Sequence, residues 1–442
     1  MKSIAPHALI LCGGAGARMA PWSDQRHKCL VTVDDGQTLF ARHVRNLHAA
    51  GFRVHANVPT PWASAFRDVA RGLKIPVDVI PEDGPPHGSG TTLLRLARAY
   101  VRAPAIVTVC GDVWYPREWY REAGAIAHMD RLTRTHELPS KTTRAAWLFV
   151  AQPDFSDARR LSGKVRLSTD QHPLVLAVRE SPTDIDRWPP DAMQAAGVAV
   201  WSRAVLDVAS KAFGTRRGVD MMRDILPRFL WPRGRVWAIR MPTERQVDLG
   251  TPLRYARFVV RQYAGARLGE DAATGIVALL GARRVFLAGN GGACAVAQHA
   301  TVDWQKAGGR DVTALADPVV NSAWANDHGY VCALARQVER VRDPRECALV
   351  LFSASGSSPN VVEAAKRTRE LGWGTVLSVS RADSAAPLHQ AATVNVKLPF
   401  GRPLGVRGYG AIEDAMQAWA HAVAVVMSGL SPWKSCEAEG GA

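Results

Sequence analysis

Apolar residues in the first half of the chain occur in short runs that alternate with amphipathic stretches. The run HALILCGG predicts a buried strand that ends in a turn, and LFARHVRNLHAAGF predicts an amphipathic helix. Further strands are predicted for RVHANV, PVDVI, AIVTVCGD, AAWLFVAQ and RGRVWAIRM, and a strand followed by a helix is predicted for QAAGVAVWSRAVLDVAS. This alternation favours a mostly parallel α/β sheet with helices on both faces.

A stretch with helical character and few turn signals separates this series from a second one. We place the junction near residues 258–270, which predicts domains at 1–260 and 261–430 and a flexible tail at 431–442. In the second half, strands are predicted for RRVFLAGNGG, DVTALAD, ALVLFSASGSS and GTVLSVSR, and helices for ACAVAQHATVDWQKA, PNVVEAAKRTRELG and GAIEDAMQAWAHAVAVVMSG. The two halves differ in motif, so we find no internal repeat.

Composition agrees with two soluble domains. The chain has 442 residues, of which 47% are hydrophobic and 21% charged. The longest apolar stretch, AWAHAVAVVM, is about half of what a bilayer span needs, and the N-terminus is not a convincing signal peptide. Seven cysteines without a pairing pattern indicate reduced thiols. We therefore expect a cytoplasmic protein with no membrane partner.

The formal charge of +15 admits two classes of partner, nucleic acid and small polyanions such as nucleotides and sugar phosphates. The arginines are spread along the chain, with no basic block and no aromatic-interleaved basic stripe. We therefore expect no nucleic-acid partner; a nucleic-acid-binding protein stays open as a rival that charge alone motivates.

The first candidate site is the glycine loop after the first strand. Gly13, Gly14 and Gly16 would bring bare backbone amides against a ligand, because a side chain there would block close approach. Arg18 then offers a planar fork for phosphate and Lys28 a point charge. These parts suit a triphosphate or pyrophosphate, although a tight strand-to-helix turn would also use such glycines. Neither GxxxxGK[ST] nor GxGxxG is present.

Two acidic residues strengthen this interpretation. Asp112 ends the strand AIVTVCGD, at the edge where open α/β sheets bind ligands, and Asp248 follows another strand. Two carboxylates could hold one Mg²⁺ against phosphate oxygens. Each aspartate alone could equally be a cap or turn residue.

A second glycine loop, VFLAGNGG, ends a strand in the second half and opens a helix. Asn290, Gly291 and Gly292 could direct amides at an anion. The downstream loop SASGSS repeats the device with hydroxyls and precedes a helix that begins with Pro359. Four serines with one glycine exceed what capping requires.

Two helices of the second half carry histidines and carboxylates. His299 and Asp303 are four residues apart and face one way, and the last long helix holds Glu413 and His421 with Gln417 midway. Such a set is enough for a metal site or an acid–base pair. A lone histidine on such a helix would more often be a residue at the edge of the core.

The first half resembles the sugar-1-phosphate nucleotidyltransferases over about residues 7–260. GGAGAR with Lys28, GSGTTLL, CGDVWY, AGVAVWS and VDLGTP follow in the order of that family, and the likeness is greatest to heptose 1-phosphate guanylyltransferases. The resemblance implies a Rossmann-like (GT-A-like) domain and a Mg²⁺-dependent displacement in which a sugar phosphate attacks the α-phosphorus of a nucleoside triphosphate, with GTP favoured. The pyrophosphate leaves.

Each matched residue receives a role from this resemblance. Arg18 would neutralise the pyrophosphate, Lys28 would stabilise the α-phosphate, and Asp112 and Asp248 would hold the metal. Gly90 would lie beside the base. Nucleotide contacts are implied for Leu11, Gly13, Gly14, Gly16, Gly90 and Asp112.

Two departures concern the substrate more than the reaction class. The family's Pro-Lys-Pro is His27-Lys28-Cys29 here, and its downstream Glu-Lys-Pro is Glu180-Ser181-Pro182. A lysine for the sugar phosphate is therefore missing, and Arg179 and Lys164 are the candidates to replace it.

The second half resembles sedoheptulose 7-phosphate isomerases of the sugar isomerase (SIS) fold over about residues 270–430. AGNGGACAVAQH, ALADPVVNSAWANDHGY, ARQVE, SASGSSPNV and the last helix occur in the expected order. The resemblance implies an α/β/α sandwich and aldose–ketose isomerisation, with Asp303 and His421 as base and acid. It also implies Zn²⁺ held by His299, Asp303, Glu413 and His421.

The same resemblance implies the sugar-phosphate contacts. Ser353, Ser355 and Ser358 would hold the phosphate, the glycine loop at Gly291 and Gly292 would contribute amides, and Asn290, Asp317 and Asp327 would line the sugar site. Three positions depart from relatives: Asp303 replaces Glu, Glu413 replaces Gln and Ala293 replaces Ser. Since relatives build their sites between subunits, we expect a homo-oligomer through the SIS domain.

Together the resemblances predict a bifunctional enzyme of nucleotide-activated heptose biosynthesis. It would isomerise sedoheptulose 7-phosphate to D-glycero-D-manno-heptose 7-phosphate and transfer a nucleotidyl group to heptose 1-phosphate. Two alternatives stay open: an active transferase fused to a non-catalytic SIS domain that senses sugar phosphate, which the departures at Asp303 and Ala293 motivate, and a transferase for a hexose 1-phosphate, which Ser181 motivates.

Overall fold

The chain divides into two compact units, and the boundary between their main segments lies between Asp248 and Leu249. The computed structural model describes residues 5–14, 16–33, 36–132, 145–151, 164–169, 174–179, 193–230, 235–241, 246–265, 268–308, 311–381, 385–400 and 405–430. Each unit is described by itself below.

The first unit contains a mixed sheet whose described strands and helices follow one another as expected for an α/β protein. Its strands are β1 (His7–Leu11), β2 (Arg53–Pro59), β3 (Val77–Glu82), β4 (Ala105–Cys110), β5 (Val113–Trp114), β6 (Ala145–Ala151), β7 (Lys164–Leu167), β8 (Val175–Arg179), β9 (Met193–Ser202), β10 (Arg235–Arg240) and β11 (Val247–Asp248). Its helices are α1 (Leu39–Ala49), α2 (Ala63–Leu73), α3 (Ser89–Ala99), α4 (Arg117–Leu132) and α5 (Arg203–Phe213).

The main path of the sheet runs β10-β6-β9-β4-β1-β2-β3, and β5 pairs separately with β11. Strand β1 pairs in parallel with β2 and β4, whereas β9 is antiparallel to both β4 and β6. Four of the six pairings along this path are parallel, as predicted, and the two that β9 makes are the exception. The apolar run in β9 indicates burial on both faces, but such a run carries no information about strand direction.

Helices cover both faces of this sheet, as predicted. Ala8 and Ile10 of β1 belong to a core that includes Phe40 of α1, while Leu9 faces a second core that includes Leu93 of α3. Because neighbouring side chains of a strand point to opposite faces, one five-residue strand links the two cores. This places the end of β1, and the glycine loop after it, on a rigid base.

The second unit has a five-stranded sheet, and its described pairings are all parallel. The order is β13-β12-β14-β15-β16, with β12 (Arg284–Gly289), β13 (Asp311–Ala314), β14 (Cys347–Ser353), β15 (Thr375–Arg381) and β16 (Val394–Leu398). The helices are α6 (Pro252–Ala264), α7 (Asp271–Leu280), α8 (Gly292–Gly308), α9 (Pro318–His328), α10 (Ala333–Val338), α11 (Pro359–Glu370), α12 (Pro387–Ala391) and α13 (Gly405–Leu430).

Helix α6 belongs to the second unit, although the sequence placed the boundary after residue 260. The helix packs against α7 and α13, and the Tyr255 ring fills the space that Gly429 leaves in α13. Its hydrophobic stripe predicts a packed helix but not which unit it packs against. No helix in the described part of the chain is long and apolar enough to cross a membrane.

The ends of paired parallel strands bring the predicted loops together. In the first unit Leu11 at the end of β1 is level with Cys110 at the end of β4. In the second unit Gly289 at the end of β12 is level with Phe352, one residue before the end of β14. Both glycine loops therefore follow a central strand beside another strand that ends in polar residues.

Two buried histidines make the first unit sensitive to acid. Burial and, next, the Arg42 charge lower the pKa of His43 to about 3, and burial, His55 and Arg53 lower the pKa of His7 to about 4. The unfolded chain takes up these protons near pH 6.5, whereas the folded chain resists them. Stability should therefore fall as pH decreases from about 6.5 towards 4, by at most about 1.4 kcal/mol per pH unit and histidine.

Urea unfolding of the first unit at several pH values measures this loss. We expect His43→Phe to show a shallower loss of stability between about pH 6.5 and 4 than the parent chain. The matched control is His48→Gln, since His48 is exposed. An unchanged pH dependence in His43→Phe would contradict the account.

Candidate active sites

A buried ion pair lies at the carboxyl edge of the first sheet. Lys28 Nζ donates to Asp112 Oδ2 at 2.6 Å, and both side chains are about 15% exposed. Arg18 lies 4.0 Å from the same oxygen and is 46% exposed. The structure thus brings these three predicted residues together, with Arg18 as the side chain open to a ligand.

Both members of the pair stay charged. Burial opposes ionisation of Asp112, but the charge and hydrogen bond of Lys28 lower the pKa of Asp112 below its ordinary value. Burial likewise opposes charge on Lys28, and Asp112 raises the pKa of Lys28. The site therefore holds a positive charge against its glycine loop without a buried unpaired ion.

The glycines of the first loop leave space for neighbouring polar groups. A side chain on Gly14 would begin 3.3 Å from Lys28 Nζ, and Gly16 adopts a φ of +70°, which favours glycine. Gly111 N donates to Leu11 O at 3.0 Å, which ties the loop after β4 to the end of β1. Leu11 thus contributes its backbone carbonyl to the framework of the site.

Asp248 lies on the short strand β11, where it pairs with Val113, the residue after Asp112. The register therefore places both predicted magnesium ligands at one edge. An ionised carboxylate accepts several bonds, so Asp112 can meet a hard cation while it also accepts from Lys28. The donor set fits Mg²⁺.

Gly90 has a packing reason in the structure. Its N–H donates to Val219 O at 2.9 Å, and a Cβ there would lie 2.9 Å from Val219 Cγ1. Its predicted place beside a base remains a prediction. Glu180, Ser181 and Pro182 lie outside the described residues, and the structure pairs Lys164 with Arg179 across β7 and β8.

Two polar residues that the sequence analysis missed lie behind Gly13. A Cβ on Gly13 would meet Asn57 Nδ2 and would lie 2.8 Å from Glu82 Oε2. The other oxygen of Glu82 accepts from Thr92 Oγ1 at 2.5 Å and lies 3.7 Å from His87 Nδ1. Glu82 ends β3 just as Asp112 follows β4, so the rule that identified Asp112 could have found it.

In the second unit, α8 and α13 bring two histidines and one carboxylate together. Asp303 Oδ2 lies 3.2 Å from His299 Nε2 and 3.6 Å from His421 Nε2, and the two histidine nitrogens are 3.3 Å apart. These ligand atoms all lie within 4.8 Å of one another. Two imidazoles and a carboxylate at this spacing are a donor set that suits Zn²⁺.

Glu413 lies outside this group in the structure, so its predicted place among the zinc ligands remains a prediction. Eight residues of helix separate Glu413 from His421, an axial distance of about 12 Å. The Glu413 carboxylate instead contacts Gly292, where a side chain on that glycine would collide with it. Gln417 is the nearer residue of α13, and its Nε2 lies 2.8 Å from His421 Nε2.

This contact also changes the interpretation of the second glycine loop. Gly292 begins α8, whose N-terminus attracts negative charge, and the Glu413 carboxylate already lies there. The Asn290 side chain is also engaged: it exchanges two hydrogen bonds with Asn360, at 2.8 and 2.9 Å, and accepts from Tyr330 at 3.1 Å. Gly291 has a φ of +55° and makes the turn between Asn290 and Gly292.

The serine loop after β14 forms a compact turn. Ser353 Oγ accepts from Gly356 N at 3.2 Å and lies 3.5 Å from Ser358 Oγ, and Ser355 Oγ accepts from Ser357 N at 3.2 Å. The hydroxyls of Ser353 and Ser358 thus point at each other from the two ends of the loop. This is a geometry that a phosphate could bridge.

Asp317 and Asp327 lie at the two ends of α9 and make local hydrogen bonds. The carboxylate of Asp317 caps α9, accepting from Val319 N at 2.8 Å and Val320 N at 3.1 Å. Asp327 is exposed and accepts from the neighbouring Asn326 at 3.2 Å. The cap explains Asp317 fully without a ligand; the sugar contacts of both remain predictions.

The metal group yields a test that separates its members from Glu413. We expect His299→Ala or His421→Ala to lose most of the zinc that the purified chain retains after dialysis, because each removes one of three clustered ligands. Glu413→Ala, which removes every donor atom of that side chain, should keep its zinc, since this carboxylate lies on Gly292. Metal analysis by mass spectrometry measures both, and equal losses in Glu413→Ala and His421→Ala would contradict the assignment.

The chain is similar to two kinds of known protein. Residues 8–195 match the model of the MobA-like NTP transferase domain. A phosphoheptose isomerase of Geobacter sulfurreducens is 33% identical over 139 residues, which cover 29% of this chain and 72% of the relative. Phosphoheptose isomerase 1 of Campylobacter jejuni is 36% identical over 94 residues, 20% of this chain and 50% of that protein, so the chain spans about half the length of the first such relatives.

Among solved structures, the phosphoheptose isomerase of Neisseria gonorrhoeae matches 38% of this chain and 90% of its own, with 24% identity and a TM-score of 0.33. The relative from Geobacter sulfurreducens decides the family, since the alignment covers more than two thirds of it. The chain belongs to the phosphoheptose isomerase family, and its residues 8–195 match the model of the MobA-like NTP transferase domain.

Proposed function

We propose that the chain is a bifunctional enzyme that isomerises a heptose 7-phosphate in its second unit and transfers a nucleotidyl group to a heptose 1-phosphate in its first. The observation that carries the transferase half is the cluster of Arg18, Lys28 and Asp112 beside a glycine loop. The one that carries the isomerase half is the group of His299, Asp303 and His421.

In the transferase reaction a phosphate oxygen of the sugar attacks the α-phosphorus, and the bond to the β-phosphate oxygen breaks. Lys28 neutralises charge at the α-phosphate, and the more exposed Arg18 meets the departing pyrophosphate. Asp112 and Asp248 would hold Mg²⁺, which supplies charge neutralisation when bound. The protein contributes position and electrostatics, since no covalent intermediate is needed.

The polar pair behind Gly13 favours GTP. Asn57 Nδ2 is a donor and Glu82 Oε2 an acceptor, and guanine offers an acceptor O6 beside the donors N1–H and N2–H₂. Adenine presents the opposite order at the corresponding atoms. A carboxylate that accepts two guanine donors would supply the preference.

The transferase half is tested by pyrophosphate release from heptose 1-phosphate and from a hexose 1-phosphate with each of four nucleoside triphosphates. We expect GTP with heptose 1-phosphate to react fastest, and Lys28→Met to lower kcat/KM by about a hundredfold or more. Glu82→Gln should reduce the advantage of GTP over ATP by roughly tenfold, with Asp83→Asn as the exposed neighbouring control.

Release with every nucleoside triphosphate except GTP would overturn the base assignment, and faster turnover of the hexose would favour the hexose transferase. No release from any pair would overturn the transferase half itself.

In the isomerase reaction a proton moves between C1 and C2 through an enediol. Asp303 removes the proton from C1 of the ketose while His421 Nε2 protonates the carbonyl oxygen at C2. Returning a proton to C2 and removing one from the C1 hydroxyl yields the aldose. Asp303 Oδ2 lies within 3.6 Å of Nε2 of both histidines, so Asp303 can exchange protons with either of them. Zn²⁺ held by His299, Asp303 and His421 would polarise the carbonyl oxygen in place of its protonation by His421, because a metal-bound Nε2 carries no proton.

Isomerisation of sedoheptulose 7-phosphate in deuterated water tests this half. We expect deuterium at C2 of the aldose product and a loss of about a hundredfold or more in rate for Asp303→Asn. Gln305→Glu, two residues along α8, is the control for a changed charge on the same helix. Binding of the sugar phosphate without deuterium incorporation would favour the alternative in which a non-catalytic SIS domain senses sugar phosphate.

Self-association through the second unit is also part of the proposal. Helix α9 has no buried residue, and Val319 is 73% and Tyr330 60% exposed, which is unusual for apolar side chains of a monomer. A second copy would cover this helix next to Asn290, which Tyr330 contacts. The described cysteines are free, as a reducing compartment such as the cytoplasm would keep them.

A further inference from the structure

Three side chains beneath the Lys28 turn form a cluster that the proposed transferase mechanism does not use. They are Cys12, which follows β1, and His27 and Cys29, which flank Lys28. Both cysteines are 0% exposed, and His27 is 3% exposed. A nucleophilic pair in direct contact with the framework of a reaction site is a candidate for chemistry of its own.

The two sulfurs share one small space beside Gly111. A Cβ on Gly111 would lie 2.6 Å from Cys12 Sγ and 3.0 Å from Cys29 Sγ, so glycine is needed there to admit both. Each thiol lies close enough to the other to shift its pKa. The two sulfurs are therefore neighbours, and a bond between them requires a small shift of the Cys29 turn.

His27 completes the cluster. Its Nδ1 accepts from Cys29 N at 3.2 Å, and its ring packs edge-on against Phe66 with centroids 5.2 Å apart. This hydrogen bond fixes the turn Lys28–Leu30 and keeps the imidazole close to the Cys29 thiol. In the family that the first half resembles, proline stands at both flanking positions, so this cluster is a property of the present chain.

The two thiols are not equivalent. Burial alone would raise the pKa of Cys29, but the neighbouring Cys12 thiol, the His27 imidazole and the Lys28 charge lower the pKa of Cys29 to about 6. The pKa of Cys12 is raised by burial and then by the neighbouring Cys29 thiol. Cys29 thus has the character of an attacking thiolate, with Cys12 as the protonated partner beside it.

We propose that Cys12 and Cys29 form a redox modification site, at which a peroxide converts the two thiols into a disulfide that stops the transferase reaction. The loss of activity rests on the proposed function of the first unit, whereas formation of the bond does not.

The chemistry balances with hydrogen peroxide as the oxidant. The Cys29 sulfur attacks one peroxide oxygen, the O–O bond breaks, and the departing hydroxide takes up a proton to become water. Cys12 sulfur then attacks Cys29 Sγ, the S–O bond of the sulfenic acid breaks, and a second water leaves. Two thiols lose two electrons, which reduce one peroxide to two waters, and a dithiol reverses the bond by exchange.

The bond would act directly on the candidate site. It would link the residue before Gly13 to the residue after Lys28, and Lys28 Nζ has little room, with Asp112 at 2.6 Å and the Gly14 backbone beside it. Drawing Cys29 towards Cys12 displaces Lys28 from this position. A displacement of about 1 Å at a reacting centre typically costs a hundredfold in rate.

The test treats the full chain with hydrogen peroxide, removes the excess with catalase, and measures both reactions and the peptide map on the same sample. We expect a Cys12–Cys29 peptide, a loss of transferase rate of roughly a hundredfold, recovery with dithiothreitol, and an unchanged isomerase rate. Cys332→Ser, in the second unit, should behave like the parent.

Two variants complete the design. Cys29→Ala should resist peroxide, because it lacks the attacking sulfur, and Cys12→Ala should form no bridge and should not recover with dithiothreitol. An inactivated parent chain without the Cys12–Cys29 peptide would overturn the proposal, and so would a bridged chain with an undiminished transferase rate. An untreated chain that releases no pyrophosphate would contradict the proposed function instead, and the peptide map would still decide whether the bond forms.

Discussion

Parallel strands that end side by side are the constraint on which both candidate sites depend. In each unit a central strand passes from a buried sheet into a glycine loop, next to a strand whose end carries polar side chains. The loop gains backbone amides, and the neighbouring strand is followed by Asp112 in one unit and ends in Ser353 in the other. The chemistry differs between the units because different side chains occupy the same kind of edge.

The charged side chains of the two sites are paired in different ways. In the first unit Lys28 and Asp112 are mostly buried and hold each other ionised, so neither charge needs a ligand to balance it. In the second unit the histidines are more exposed and lie within reach of one shared carboxylate. The first arrangement suits the stabilisation of a polyanion, and the second suits proton transfer or the binding of a cation.

Sequence patterns predicted most of the fold because hydrophobic periodicity and glycine loops are local signals. The strands β1, β4, β12 and β14 and the clusters at Lys28 and His299 follow from such signals. The antiparallel direction of β9 does not, since an apolar run is the same in both directions. The metal role of Glu413 rests on the resemblance alone, and Glu82 was missed although it ends β3 just as Asp112 follows β4.

The structure shows which contacts are made by the residues that depart from the resembled families. Glu413 places a carboxylate on the N-terminus of α8, a position that favours negative charge. His27 and Cys29 replace two prolines around Lys28 and add a hydrogen bond and a thiol to the turn. Substitutions beside a catalytic residue can thus keep the reaction and change how it is controlled.

The central claim is that one chain carries two separate anion sites, one for a nucleoside triphosphate and one for a phosphorylated sugar. Calorimetric titration of one preparation with Mg²⁺·GTP and with sedoheptulose 7-phosphate, each alone and in the presence of the other, tests it most directly. We predict one site per chain for each ligand and a dissociation constant that the other ligand leaves unchanged. Mutual exclusion of the two ligands, or binding of only one, would contradict the account.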